Sequence, residues 1–351
     1  DLINQIWVNT DEIPNNGFDD DGDGYVDNYN GIDFTNDTGN PVDLLGHGTH
    51  VSGTIAATAN DGHPHVGVAF DAVILPCKLG DFGMYQSAQI KAIDFCVQEG
   101  VKIANCSFGG YGANQAIFDV MQKAGEDGDM LFLVSAGNDS NNNDALPVYP
   151  AGYDLECIVS IAATDRNDHL AGFSNYGLTK VDLGAPGVDI YSSNSINDQS
   201  YEYMSGTSMA APHVAGVVAL MRSSRPDWSY LQIREKLLSS SDSIPALDGK
   251  TVTGGRLNAA IAVQGMGNFG APDGIMEVSI TPPSGSLLSV EDQISIVVEV
   301  IDGEKVENAT VTMLGESGDT AFFSNDGEDP DQKEGDNLYT SYFRVPKVQG
   351  K

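Results

Sequence analysis

A chain of 351 residues exceeds one ordinary domain, and 41% hydrophobic with 8% aromatic residues is enough for a real core, which excludes a disordered chain. Seventeen Lys and Arg against 50 Asp and Glu leave a net charge of −33, a field that repels nucleic acid and anionic lipid and excludes both as partners. No apolar run reaches the ~18 residues of a membrane span. The start at Asp1-Leu2-Ile3, without Met and without a signal peptide, predicts a processed or truncated product.

The first 45 residues are polar and rich in Asp, Asn and Gly, and predict a loop held by something other than an apolar core. Within them, Asp19-Asp20-Asp21-Gly22-Asp23-Gly24-Tyr25-Val26-Asp27 follows the calcium-loop pattern D-x-D-x-D-G-x-x-D. Asp19, Asp21 and Asp23 would offer carboxylates, Gly24 the sharp turn, Tyr25 its carbonyl and Asp27 a further oxygen. Asn30 stands where a helix-loop-helix hand carries its bidentate Glu. Carboxylates packed this closely repel one another without a cation, so the loop predicts structural Ca²⁺ over a plain solvated turn.

From residue 47 to about 263, short β-branched apolar runs alternate with helical spacing. Runs at 66–79, 101–106, 130–134 and 157–162 predict buried parallel strands, and 87–99, 114–124 and 209–222 predict helices. That alternation implies an α/β domain over 1–265, with a central mostly parallel sheet covered on both faces. Past the Gly-rich 265–270 the pattern changes to alternating strands at 277–281, 293–301 and 309–313, separated by Pro-Ser-Gly and Asp-Gly turns. A small all-β sandwich over 270–351, incomplete at its end, is the expected second domain. It lacks Trp, which gives sugar stacking little support, and its acidic turn at 325–336 is a second candidate calcium site or a plain turn. The four cysteines, Cys77, Cys96, Cys106 and Cys157, are too few and scattered for a disulfide scaffold and sit in apolar contexts.

Three stretches carry candidate chemistry. His47, in Gly46-His47-Gly48-Thr49-His50-Val51-Ser52-Gly53, sits at a loop-to-helix junction cleared by glycines, where its ring can face a cleft; a packing or metal histidine is the alternative. Asn138 follows an apolar strand in Ser135-Ala136-Gly137-Asn138, and its amide can donate to a developing oxyanion, or it is a turn residue. Ser208, in Ser205-Gly206-Thr207-Ser208-Met209-Ala210-Ala211-Pro212-His213, opens an apolar helix whose free amides favour an anion, or it is an ordinary cap.

Taken together and in this order, the three stretches resemble the subtilase family of serine endopeptidases over roughly residues 1–263. Further family-like stretches lie at 105–110, 173–177, 185–187 and 255–259. The resemblance implies a subtilisin-like three-layer fold and a secreted enzyme. It assigns Ser208 as nucleophile, His47 as general base and then acid, and Asn138 with the Ser208 amide as the oxyanion hole. It also implies that Ser107, Phe108 and Gly109 offer a strand edge to the substrate backbone, while Ala136, Gly137 and Ala151 wall the first side-chain pocket. His63, His65, His169 and His213 read as structural. Expected partners are protein or peptide substrates and the enzyme's own pro-segment, with a monomeric state.

The family's triad aspartate ends a buried strand that precedes the histidine, and Asp1-Leu2-Ile3 resembles the turn just after that strand. The resemblance therefore places the acid upstream of Asp1. Asp33, in Gly31-Ile32-Asp33-Phe34, is the closest substitute but lies 14 residues before His47 and after the Asp-rich loop. The chain by itself is then expected to be nearly inactive. The rival reading is an inactive pseudoprotease or a calcium-dependent binding module that never had the acid.

Overall fold

In the computed structural model the described residues are 1–264, apart from 82 and 198, together with the backbone of six later strands. Strand β1 (Ile32–Asp33) is followed by α1 (His47–Ala56), β2 (Cys77–Lys78), α2 (Gln86–Gln98), β3 (Ile103–Cys106) and α3 (Gln115–Glu126). Then come β4 (Leu131–Ser135), β5 (Ile158–Thr164), β6 (Leu183–Pro186) and the hairpin β7 (Ile190–Ser193) with β8 (Tyr201–Met204). Helices α4 (Thr207–Ser224) and α5 (Tyr230–Ser239), strands β9 (Asp242–Ser243) and β10 (Gly255–Arg256), and the short α6 (Ala259–Val263) complete this unit.

β3, β4, β5 and β6 pair in parallel in chain order; β10 joins β6 in parallel, and antiparallel β9 closes the sheet. Side chains alternate across a strand, so β4 sends Leu131 and Leu133 to one face and Phe132 and Val134 to the other. The first face packs on Val51 and Ile55 of α1 and on Met209, Val214, Val217 and Met221 of α4. The second packs on Ile117 and Met121 of α3 and Ile90 and Ile93 of α2. Three layers result. Each fully buried side chain of this size contributes roughly 1.5–3 kcal/mol.

Helix α4 shows no polar face because it lies against the sheet on one side and α1 on the other. Its Gly216 lets Val68 come close: a Cβ there would meet the Val68 Cβ at 2.6 Å. Gly216→Val is expected to destabilise the domain by at least about 2 kcal/mol through overpacking. An unchanged urea midpoint would contradict that packing.

Two expectations are corrected. Of the run at 66–79, only Cys77–Lys78 is strand; the amides of Gly67, Val68 and Ala69 donate instead to the carbonyls of Ala57, Thr54 and Ile55. They satisfy the open C-terminal end of α1, which a periodicity count does not register. The N-terminal segment also has a core of its own. Ile32 and Phe34 are buried against Ala88, Ala92 and Phe95 of α2, with Trp7 and Tyr25 packed around them. Tyr25 stands edge-on to Phe34 at 5.3 Å and to Phe95 at 5.7 Å between ring centres. These aromatics are spread among polar turns, so no periodic signal announces them.

β1 and β2 form a separate parallel pair, with Ile32 opposite Cys77 and Asp33 opposite Lys78. Among the described residues, β2 has no partner but β1, and β3 none but β4.

The chain divides into two compact units, Asp1–Met266 and Gly267–Lys351. In the second, β11 (Ile275–Thr281), β12 (Gln293–Asp302), β13 (Glu304–Lys305) and β16 (Leu338–Arg344) form one antiparallel sheet, with β12 pairing the other three. β14 (Val311–Leu314) pairs antiparallel with β15 (Thr320–Phe323). The candidate calcium turn at 325–336 lies outside the described residues.

Candidate active site

Ser208 is the second residue of α4, half-buried, behind an extended Gly206. Its hydroxyl donates to the Ser107 carbonyl at 3.1 Å, and the Ser107 hydroxyl donates back to the Ser208 carbonyl at 2.7 Å. The second bond has a cause in the sequence. Pro212 lies four residues on and has no N–H, so the Ser208 carbonyl lacks its helical donor, and Ser107 supplies one. The missing backbone bond thus ties Ser208 to the end of β3.

Asn138 follows β4 and is exposed. Its Oδ1 accepts from the Thr207 amide at 2.9 Å and the Thr207 hydroxyl at 3.0 Å. An amide N–H can only donate, so the oxygen must face Thr207 and the Nδ2 group is left to donate beside the first turn of α4. The loop carrying it is fixed from below by Asn175, which is fully buried. Asn175 accepts from the Asp139 and Asn141 amides and donates to the Ala136 carbonyl and Asn143. Gly137 has φ +110°, and a Cβ there would meet the Asn175 Nδ2 at 2.4 Å, so the approach requires glycine.

His47 is the first residue of α1, capped by Gly46 in the left-handed region at φ 82°. Burial lowers its pKa below the ordinary 6.5; the nearby Asp43 opposes this and His50 adds to it. The ring is thereby held neutral, the form a general base needs. Asp43 does not hydrogen-bond to it: its carboxylate accepts from the amides of Leu45, Gly46 and Thr49 and from the Thr49 hydroxyl. Asp33 is occupied by Thr35 and Asn36 and lies 3.8 Å from Lys78 Nζ. Among the described residues, no carboxylate pairs with His47 by a hydrogen bond or an ion pair.

The second motif histidine, His50, is fully buried and donates Nε2–H to the carbonyls of Ile190 at 3.0 Å and Glu202 at 3.3 Å, which pins α1 to the β7–β8 hairpin. His213 donates to the Met209 carbonyl of its own helix at 2.8 Å. His65 approaches the Asp1 carboxylate at 2.9 Å, His63 bonds the Tyr201 hydroxyl at 2.6 Å, and His169 sits on the surface beside Asp165.

Of the expected substrate-contacting residues, Gly109 is exposed, Phe108 half-buried and Ser107 buried. Gly110 exchanges two backbone bonds with Tyr149, so this stretch already acts as a strand edge. Ala136 and Ala151 are buried, and Gly137 is half-buried between them and Asn138.

In the acidic loop, Asp19 accepts from the amides of Gly22, Asp23 and Gly24, which curls the backbone around its carboxylate. Burial raises the Asp23 pKa, and the charges of Asp21 and Asp19 raise it further. Oxygens of Asp19, Asp21 and Glu12 converge within 4.8 Å. Glu12 was not among the sequence candidates because it lies outside the loop pattern. It is only 3% exposed, and its Oε2 is buried with no hydrogen-bond partner. Asp27 turns away, accepting from the Asn16 and Gly17 amides, and the Tyr25 ring joins the aromatic cluster.

Comparison with known proteins agrees with this architecture. The subtilase family model matches residues 5–269. Subtilisin-like protease 1 of Plasmodium falciparum (isolate 3D7) is 35% identical over 276 residues, covering 70% of this chain and 38% of that protein. A thermophilic serine proteinase of Bacillus sp. (strain AK1) is 37% identical over 235 residues, covering 66% of this chain and 56% of that protein. The chain thus spans well under two thirds of the length of these relatives. A solved protease structure from Pseudoalteromonas arctica aligns with TM-score 0.57 and 32% identity, over 63% of this chain and 70% of the other. A cold-adapted subtilisin-like serine proteinase aligns at 0.56 and 31%, over 65% and 80%. The fold is subtilisin-like, and the chain belongs to the subtilase family of serine peptidases.

Proposed function

We propose that this chain carries the nucleophile, general base and oxyanion hole of a secreted serine endopeptidase acting on protein or peptide substrates. The supporting observation is that Thr207 fixes the Asn138 oxygen, which aims Nδ2 beside Ser208 at the start of α4. In this reading the Ser208 hydroxyl turns from the Ser107 carbonyl, and His47 takes its proton as the oxygen attacks the scissile carbonyl. The oxyanion forms between Asn138 Nδ2 and the Ser208 N–H, an amide that the first helical turn leaves free. His47 then protonates the leaving amine, and water repeats the sequence on the acyl-enzyme. In this reading the acid that orients His47 would be carried on a strand seated between β2 and β3, each of which, among the described residues, pairs on one edge only.

A fluorophosphonate probe tests this function. The chain extended upstream of Asp1 is expected to be phosphonylated at Ser208 and not in the Ser208→Ala variant. The unpartnered His47 is what favours the rival, a non-catalytic binding module, and complete absence of labelling in the extended chain would establish that rival.

The Asp19 and Asp21 carboxylates, with Glu12, fit a structural Ca²⁺, with hard oxygen donors converging and an orphaned buried Glu12 oxygen, while Asp23 accepts from the Tyr25 amide and Asn28 beside them. A bound cation would offset their repulsion and order the segment that carries β1. At calcium 100-fold above its Kd, the linkage contributes about 2.7 kcal/mol. Chelation with EGTA is expected to lower Tm by about 5 °C, and Glu12→Gln to reduce that difference. Identical melts with and without EGTA would contradict the assignment.

A further inference from the structure

Two thiols lie against each other on neighbouring elements. Cys77 is in β2 and Cys96 is on α2, and their Sγ atoms are 3.5 Å apart. The Cys77 thiol also reaches the Leu75 carbonyl at 3.6 Å. Cys77 packs on the N-terminal cluster around Ile32 and Phe34, while Cys96 packs on the cluster under the sheet that contains Met121 and Phe132. The pair therefore stands where two apolar clusters meet. The other two cysteines have no such neighbour: Cys106 is buried at the end of β3, and Cys157 is buried with its thiol on the Met121 carbonyl.

We propose that Cys77 and Cys96 are a disulfide-forming pair, closed by exchange with a small-molecule disulfide of the glutathione class, and that Cys106 and Cys157 remain thiols. Sulfurs in contact need only approach by about 1.5 Å, a side-chain movement, to reach the ~2.05 Å of the covalent bond. In the first step the Cys96 thiolate attacks one sulfur of the reagent, and one thiolate leaves. In the second, the Cys77 thiol gives its proton to the released reagent thiolate as its sulfur attacks the Cys96 sulfur of the mixed disulfide and expels the other reagent sulfur. Two cysteine thiols and one reagent disulfide thus become one cystine and two reagent thiols. The order follows from the surroundings: the hydrogen bond with Cys96, together with burial, holds Cys77 as a thiol well above the usual range. Burial likewise pushes Cys106 up to about 12 and Cys157 to about 11, and since neither sulfur has a second one in contact, as Cys77 and Cys96 do, both remain thiols.

The bond would staple β2 to α2 across the turn that joins them and so hold the edge of β2 beside β3. It rests on the placement of two sulfurs and stands or falls independently of the peptidase reading.

The test incubates the folded chain with glutathione disulfide, alkylates remaining thiols after denaturation, and maps the peptides by mass spectrometry. The expected result is one cross-linked peptide pair containing Cys77 and Cys96, two alkylated cysteines at 106 and 157, and a Tm about 5 °C above that of the reduced chain. In Cys77→Ser the expectation is a glutathione adduct that persists on Cys96 and no rise in Tm. Four alkylated cysteines in the treated wild-type chain would overturn the proposal, as would a cross-link joining any other pair. The mapping uses the wild-type chain, so a variant that fails to fold leaves the test intact.

Discussion

Extending the chain upstream of Asp1 by an apolar strand that ends in aspartate raises kcat for peptide-bond hydrolysis by about 10⁴. The size follows from what an acid does for a triad histidine. It fixes the tautomer with the lone pair toward serine and stabilises the imidazolium that forms; removing that acid alone from a comparable triad costs about 3 × 10⁴. Among the described residues His47 has no such partner. The charge of Asp43 acts on it, but the Asp43 carboxylate accepts four hydrogen bonds from the turn it caps. Asp33 is held by Thr35, Asn36 and Lys78. The same extension should raise Tm, because it pairs the open edges of β2 and β3. Steady-state hydrolysis of a fluorogenic peptide by both chains reads the ratio. Comparable kcat values would mean that His47 works without an acid or does not work as a base.

Asn138→Ala in the extended chain lowers kcat by about 10²–10³ and leaves KM nearly unchanged. In the proposed reaction the amide would donate to an oxygen that carries charge only in the transition state, so its loss would fall on kcat. Asn138→Asp should be at least as damaging, because it places an acceptor and a negative charge where a donor is needed. A proportionate rise in KM at constant kcat would instead mark Asn138 as an ordinary substrate contact.

The residues that sequence reading singled out are those whose neighbours advertise them. Glycines around His47 and Ser208 and the apolar strand before Asn138 make each a candidate with a structural alternative, and it is the three motifs in order, by their resemblance to the subtilase family, that assign the roles. The β3–β4–β5 sheet and helices α2, α3 and α4 were legible because each repeats its apolar period over several turns or residues. What stayed hidden depends on contacts far apart in sequence. The hydroxyl of Ser107 answers a backbone gap left by Pro212, 105 positions away. Glu12 joins Asp19 and Asp21 only once the loop folds back, and Asn175 supports the Asn138 loop from another turn. Trp7, Tyr25, Phe34 and Phe95 make a core from single residues that share no periodicity. The hairpin β7–β8, which fixes His50, was missed because its strands are short and only partly buried.

The central claim, that Ser208 is the nucleophile of a peptidase, is tested most directly by degradation of an unfolded protein such as reduced, alkylated casein by the extended chain and its Ser208→Ala variant. The account predicts steady cleavage by the former and a fall of about 10⁶ in the latter, to background. Cleavage of the same substrate at the same rate by both would contradict it.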